Sequence, residues 1–188
     1  MVDEGVRPRR VVIGLGANLG DRAGAIEAAV RALAAEPGIG VAARSGVYET
    51  APVGGPPQGD YLNMAVLARS RLGARALVER LLAIEAALGR VRREGERDAP
   101  RTIDLDLLWI EGERVDDPGV VVPHPRLAAR AFALVPLVDV APDARDPTTG
   151  VRYAELAAAK QPLRRVDRGP TSGVARHLRR RSPRRPPS

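Results

Sequence analysis

Short apolar runs alternate with two segments of helical period, glycine- and proline-rich stretches separate them, and nothing repeats. These features predict an α+β sandwich whose elements run β-α-β-β-α-β. That order is the ferredoxin-like split unit, followed here by a C-terminal helical appendix. Residues 11–15 are the first strand. Gly14, Gly16 and Gly20 surround a turn, and Asp21 is suited to cap the next helix. In that helix Ile26, Val30 and Leu33 fall at i, i+4 and i+7, and Pro37-Gly38 ends it. Residues 39–48 form a second strand. The stretch 50–60 holds three prolines and three glycines and is a loop. Residues 61–71 are the third strand, and Leu77, Leu81, Ile84 and Leu88 mark a second helix ended by Gly89. An arginine-rich loop over 90–102 leads to the fourth strand, 103–110. The appendix spans 120–160, with a helical turn at 126–130 and a helix near 153–160.

A chain of 188 residues, 44% of them hydrophobic, suits one domain with an ordinary aliphatic core. The absence of cysteine excludes disulfides, thiolate metal sites and a cysteine nucleophile. No apolar run approaches the roughly 20 residues that span a bilayer, and residues 11–15 are too short for a signal core. The expectation is a soluble cytoplasmic protein without a membrane partner. Beyond Leu163 nine arginines and one aspartate carry a net +8, against +7 for the whole chain, leaving the body at −1. Three segments follow: a short extension (1–10), the folded domain (11–163) and a basic Arg/Pro-rich tail (164–188) that reads as disordered. A nearly neutral body argues against a specific nucleic-acid partner.

Residues 97–106 carry the most chemistry. Asp104 and Asp106 stand two apart in an apolar strand, so both carboxylates emerge on one face a few Å apart. Like charges that close favour a cation beside them, and oxygen-only ligands select a hard ion such as Mg²⁺. Arg97 and Arg101 arrive from the preceding loop, and guanidinium forks suit phosphate oxygens. Carboxylate-held Mg²⁺ beside arginines is how proteins hold a nucleoside triphosphate for transfer. Asp-x-Asp alone is common on solvated sheet edges; the arginines and the Pro100 turn favour the functional reading.

Other segments are weaker. Gly14-x-Gly16-x-x-x-Gly20 is one residue too long for a dinucleotide fingerprint, and no Gly-Lys-Ser/Thr follows it. Its glycines serve a tight turn, although Asn18 can also orient a ligand. Tyr61 and Asn63 share a strand face, an aromatic plate beside an amide, which suits a flat heterocycle as well as plain packing. Phe132, the single Phe, is either the opposite plate or core. His124, in Val-Pro-His-Pro, has no second ligand at metal spacing and fits a phosphate or adenine contact better than zinc.

Seven stretches together resemble the 6-hydroxymethyl-7,8-dihydropterin pyrophosphokinase family of folate biosynthesis. They are 14–21, 48–54, 60–63, 84–92, 97–107, 122–125 and 130–132, in the family's order across about 11–156. The resemblance implies an enzyme that moves pyrophosphate from ATP to the pterin hydroxymethyl group and releases AMP. It implies two Mg²⁺ ions on Asp104 and Asp106, and Arg90 and Arg101 steadying the transferred phosphates. It implies ATP contacts at Glu85, Arg92, Leu107, His124 and Arg130. It further implies a pterin site at Thr50, Val53, Tyr61, Asn63 and Phe132, with Tyr61 and Phe132 sandwiching the ring. ATP and a dihydropterin alcohol are then the partners, and a monomer is expected. The main rival is a Mg-dependent nucleotidyltransferase of the polymerase-β type, which also uses a Gly-rich turn and a strand Asp-x-Asp but releases pyrophosphate. An RNA-recognition domain shares the element order, but the first strand lacks the aromatics that stack bases.

Overall fold

The computed structural model describes residues 7–91 and 99–166. Strand β1 (Arg9–Ala17) leads into helix α1 (Arg22–Ala35), then β2 (Ile39–Arg44), β3 (Tyr48–Thr50), β4 (Tyr61–Ser70), helix α2 (Ala74–Ala87) and β5 (Asp104–Ile110). A small hairpin, β6 (Val115–Asp117) and β7 (Val120–Val122), precedes helix α3 (Ala131–Val140), and β8 (Arg164–Arg165) closes the described chain. The main sheet runs β5-β1-β4-β3-β8, with β2 also on β4, and its pairings are antiparallel.

The local signals explain the element ends. Asp21 caps α1 by accepting the Gly24 amide at 2.9 Å. Gly89 follows α2 with φ +82, a left-handed conformation that favours glycine at a helix end. Alternation along the strands then supplies two cores. Val11, Ile13 and Leu15 of β1 pack with Leu105, Leu107 and Ile110 of β5 under Ile26, Leu33, Leu77 and Leu81 of the first two helices. On the opposite face Val12, Ala65, Leu108 and Trp109 pack with Leu134 and Leu137 of α3 and with Tyr153. The register of β1 on β5 shifts between Val12 and Ile13, which pair with Trp109 and Leu107. Leu108 is the extra residue of this bulge, so two consecutive side chains, Leu108 and Trp109, enter the same core.

Several expectations change. The strand expected over 39–48 is two strands, because Ser45 interrupts it. Its backbone N–H donates to the Ala65 carbonyl, and its hydroxyl accepts the Ala65 amide, both at 2.9 Å. The helix expected near 153–160 is two 3₁₀ turns, Tyr153–Glu155 and Ala157–Lys160, with Leu156 extended between them. The turn expected at 126–130 is the 3₁₀ turn Leu127–Ala129. Helix α3 was not foreseen. It is apolar nearly all round and carries Pro136 inside, so it shows neither an amphipathic period nor an uninterrupted helical sequence. Ordered chain also continues past Leu163, since Arg164 and Arg165 pair with Glu49 and Tyr48, and the Val166 amide donates to the Val47 carbonyl at 2.9 Å. The remaining tail and the extension before Arg7 lie outside the described residues. Among those described, no helix is long and apolar enough to cross a membrane.

Trp109 holds the second core to the sheet. Its ring is 2% exposed, and its indole N–H donates to the Arg145 carbonyl at 2.9 Å. Trp109→Ala is expected to cost roughly 3–5 kcal/mol, through lost burial and an orphaned carbonyl. Urea unfolding measures it, and a loss below about 1 kcal/mol would show that this core contributes little.

Candidate active site

Helix α3 covers only part of the second sheet face. The rest is an open cleft, and its floor follows from register. Gly16 of β1 lies opposite Asn63 of β4 on one side and Asp104 of β5 on the other, while Gly14 lies opposite Ala65 and Asp106. Directly opposed residues share a face, so the alternation that turns Val11, Ile13 and Leu15 into the first core turns the two glycines and both acids into the cleft. The glycines keep that floor low. A Cβ on Gly14 would stand 3.0 Å from Leu108 Cδ1, and one on Gly16 would stand 3.4 Å from Asn63 Oδ1.

The cleft gathers Thr50, Val53, Tyr61, Asn63, Arg101, Asp104, Asp106, Arg130 and Phe132. Asn63 is buried, and its amide donates to the Thr50 hydroxyl at 2.9 Å, tying β4 to its neighbour β3. An arginine attends each aromatic wall: Arg101 lies 6.0 Å from the Tyr61 ring centroid and Arg130 5.3 Å from that of Phe132. Val53 is largely exposed on the rim.

Other residues singled out from sequence stand beside or behind this space. Arg90 pairs with both Glu85 and Asp104. Glu85 is 1% exposed and also accepts the Leu105 amide at 2.7 Å, so it anchors the first turn of β5 from behind. The Leu107 side chain points to the opposite face, into the first core. His124 follows a cis Val122–Pro123 bond, and its amide donates to the Leu108 carbonyl at 2.9 Å. Burial, with help from the nearby Arg130 and Arg126 charges, lowers its pKa and favours the neutral imidazole. Arg92, Arg93, Arg97 and Asp98 lie outside the described residues.

The two acids differ in state. Burial alone would raise the Asp104 pKa, but Arg101, at 2.6 Å from Oδ2, and Arg90 more than offset that and hold it below the usual range. Asp106 has no comparable ion pair among the described residues. Burial, then the charges of Asp104 and Glu85, push its pKa up to about 6, against weaker relief from Arg101 and Arg130. An ionised acid beside a strained one, both half-buried, is a donor pair that suits a hard divalent cation. No cluster of three or more His, Cys, Asp or Glu side chains that could hold a metal exists among the described residues. A cation here would draw its other ligands from a bound phosphate or from water.

Sequence reasoning missed Gln58 and undervalued Asn18. Asn18 Nδ2 donates to Gln58 Oε1 at 2.8 Å and to the Gly59 carbonyl at 3.2 Å, while its Oδ1 accepts the Arg101 amide at 2.8 Å. Tyr61 Oη donates to the same Gln58 oxygen at 3.1 Å. Three loops meet at one buried amide, which no local spacing announces.

The geometry places two acids and two arginines beside two aromatic rings in one cleft. A family model described as 7,8-dihydro-6-hydroxymethylpterin-pyrophosphokinase (HPPK) matches residues 12–142. The chain is 49% identical over 134 residues to a 2-amino-4-hydroxy-6-hydroxymethyldihydropteridine pyrophosphokinase of Methylorubrum extorquens, covering 71% of this chain and 84% of that protein. It is 41% identical over 128 residues to the Bacillus subtilis protein of the same name, covering 68% of this chain and 75% of that one. A solved HPPK-DHPS in complex with substrates shares the fold, with a TM-score of 0.62 at 12% identity over 82% of this chain. This chain spans 43% of that longer one. The chain belongs to the HPPK family. These matches do not favour the nucleotidyltransferase reading.

The raised pKa of Asp106 has a consequence for stability without metal. A carboxyl ionising near 3.9 when unfolded and at about 6 when folded loses stability as pH rises between those values. Asp106→Asn, in chelator-treated protein, is therefore expected to raise stability at pH 8 by up to roughly 3 kcal/mol and to change little at pH 4. Equal effects at both pH values in thermal unfolding would rule out this origin.

Proposed function

We propose that this chain transfers the terminal pyrophosphoryl group of ATP to the hydroxymethyl oxygen of 6-hydroxymethyl-7,8-dihydropterin, releasing AMP, as a step of folate biosynthesis. One observation carries the reading. In a member of this family, the slot formed by Tyr61, Asn63 and Phe132 opens directly onto Asp104, Asp106 and Arg101.

Tyr61 and Phe132 sandwich the pterin ring, and Asn63, oriented by Thr50, pairs with its polar edge. Val53 closes over the ring from the rim. ATP lies on the other side, toward Arg130 and His124, with Arg92 and the backbone near Leu107 as further contacts. Asp104 and Asp106 hold Mg²⁺, two ions in this reading, which when bound neutralises phosphate charge and orients the triphosphate. Arg90 and Arg101, both paired to Asp104 without substrate, turn part of their donor capacity to the transferred phosphates. Glu85 keeps Arg90 in place.

The pterin hydroxyl oxygen bonds to Pβ as the bond from Pβ to the bridging oxygen breaks. That oxygen leaves with AMP, and the hydroxyl proton is released. No covalent intermediate on the protein is required. Positioning and charge neutralisation carry the catalysis. Arg101 stays charged throughout: although burial disfavours the cation, the Asp104 carboxylate raises its pKa above the ordinary value. The strand order β5-β1-β4 with β2 and β3 beyond supports the ferredoxin-like reading of the fold. In our reading the domain runs to Val166 and acts as a monomer.

Incubation with Mg-ATP and the pterin alcohol, followed by nucleotide analysis, is expected to yield AMP and the pterin diphosphate. Release of free pyrophosphate with a nucleotidylated product would instead establish the nucleotidyltransferase.

Arg101→Ala is expected to lower kcat on the order of a hundredfold, because a contact realised on the transferring phosphate is lost from the transition state. Pterin affinity should change little. Weakened pterin binding at normal turnover would move Arg101 out of this role.

A further inference from the structure

The walls of the heterocycle slot come from distant parts of the chain. Thr50 is on strand β3, and Phe132 is near the start of α3. The two elements are joined at a second place. Tyr48 Oη donates to Asp139 Oδ2 at 2.6 Å, and the same oxygen accepts the Gly46 amide at 3.2 Å. Tyr48 and Thr50 stand two apart on β3 and share a face. Phe132 and Asp139 stand seven apart on α3, two helical turns, and lie on nearly the same side. The Tyr48–Asp139 contact and the Thr50–Phe132 opening therefore lie along one seam between strand and helix.

Tyr48 is suited to fix that seam. Its ring is 7% exposed, and the Arg165 guanidinium of β8 lies 6.0 Å from the ring centroid. The phenol is held in one orientation while its hydroxyl reaches out to α3. The opposite end of the seam has the Asn63–Thr50 hydrogen bond, which orients the strand side of the slot but leaves the helix side unconstrained by it.

We propose that Tyr48 and Asp139 are positioning residues that set the width of the pterin slot, stapling α3 to β3 so that Phe132 stands at stacking distance from the ring. The inference rests on the pterin reading of the slot. Neither residue lines the cleft itself, so neither is catalytic. The chemistry requires a hydroxyl donor at 48 and an acceptor at 139, and it does not require the negative charge.

The test is calorimetric titration of the pterin alcohol in the presence of a non-hydrolysable ATP analogue, with steady-state kinetics alongside. Tyr48→Phe and Asp139→Ala are expected to weaken pterin binding roughly three- to tenfold, the scale of one hydrogen bond, and to raise the pterin KM more than they lower kcat. ATP-analogue affinity and the thermal midpoint should stay near wild type. Asp139→Asn keeps a carbonyl acceptor and should return pterin binding to within about twofold of wild type. Unchanged pterin affinity in both deleting variants, a parallel loss of ATP affinity, or an Asp139→Asn variant no better than Asp139→Ala would each overturn the staple. Wild-type protein that forms no AMP defeats the pterin reading itself, and the staple with it. Wild-type protein that forms AMP while the variants bind pterin normally defeats the staple alone.

Discussion

Strand β1 lies hydrogen-bonded between β4 and β5, and its alternating side chains constrain both faces of the sheet. Val11, Ile13 and Leu15 fill the face under α1 and α2, whereas Gly14 and Gly16 leave the other face bare. Because paired residues share a face, bareness at 14 and 16 makes room above Asn63 on one neighbour and Asp104 and Asp106 on the other. A one-residue slip of β5 on β1 would turn the acids into the aliphatic core, and one of β4 on β1 would turn Asn63 into it. The long antiparallel register, Arg9 to Ala17 against Ser70 to Leu62, resists such a slip by tying each alternate residue to a core position.

On that floor, Asp104 organises the charges. It receives Arg101 from the loop before β5 and Arg90 from the end of α2, while Glu85 grips both Arg90 and the Leu105 amide behind it. Cations that would otherwise repel each other are held together by one carboxylate, which would reduce the reorganisation that the proposed phosphate binding demands. The cost is borne at Asp106, whose carboxyl is left beside two other acids and pushed toward neutrality. Strain of that kind would be relieved by a cation, which fits the proposed role of the two acids.

The C-terminal part of the chain completes the second face. Leu134, Leu137 and Tyr153 cover Val12, Ala65 and Trp109, but α3 ends its coverage where Phe132 meets the cleft. Arg10 ties this layer to the sheet through Glu111 and Asp143, with its guanidinium 5.6 Å from the Trp109 ring centroid. Strand β8 then adds to the edge of β3, and Arg164 reaches Glu49 at 2.5 Å. Glu49 also receives Arg22, which holds the Asp60 carbonyl at 2.7 Å, so both ends of the loop over 51–60 are held by one charged cluster.

The sequence by itself determined the two amphipathic helices, the strand character of β1, β4 and β5, the cap at Asp21 and the co-facial acids, since periods of 3.6 and 2 are local properties of the chain. It also pointed to Tyr61, Asn63 and Phe132 through residue type and the family resemblance. Tertiary structure alone decided what those residues face. Helix α3 is a helix despite Pro136 because its apolar surface has a sheet to cover, and 39–48 breaks because Ser45 finds Ala65 across the sheet. Glu85, a charge on a helical pattern, is buried because Arg90 and the Leu105 amide are there to meet it. Contacts such as Asn18 with Gln58 and Arg101, or Tyr48 with Asp139, join residues 40 to 91 positions apart. Such pairings follow from strand register and helix docking, which hydrophobic periodicity constrains only after the whole sheet has assembled.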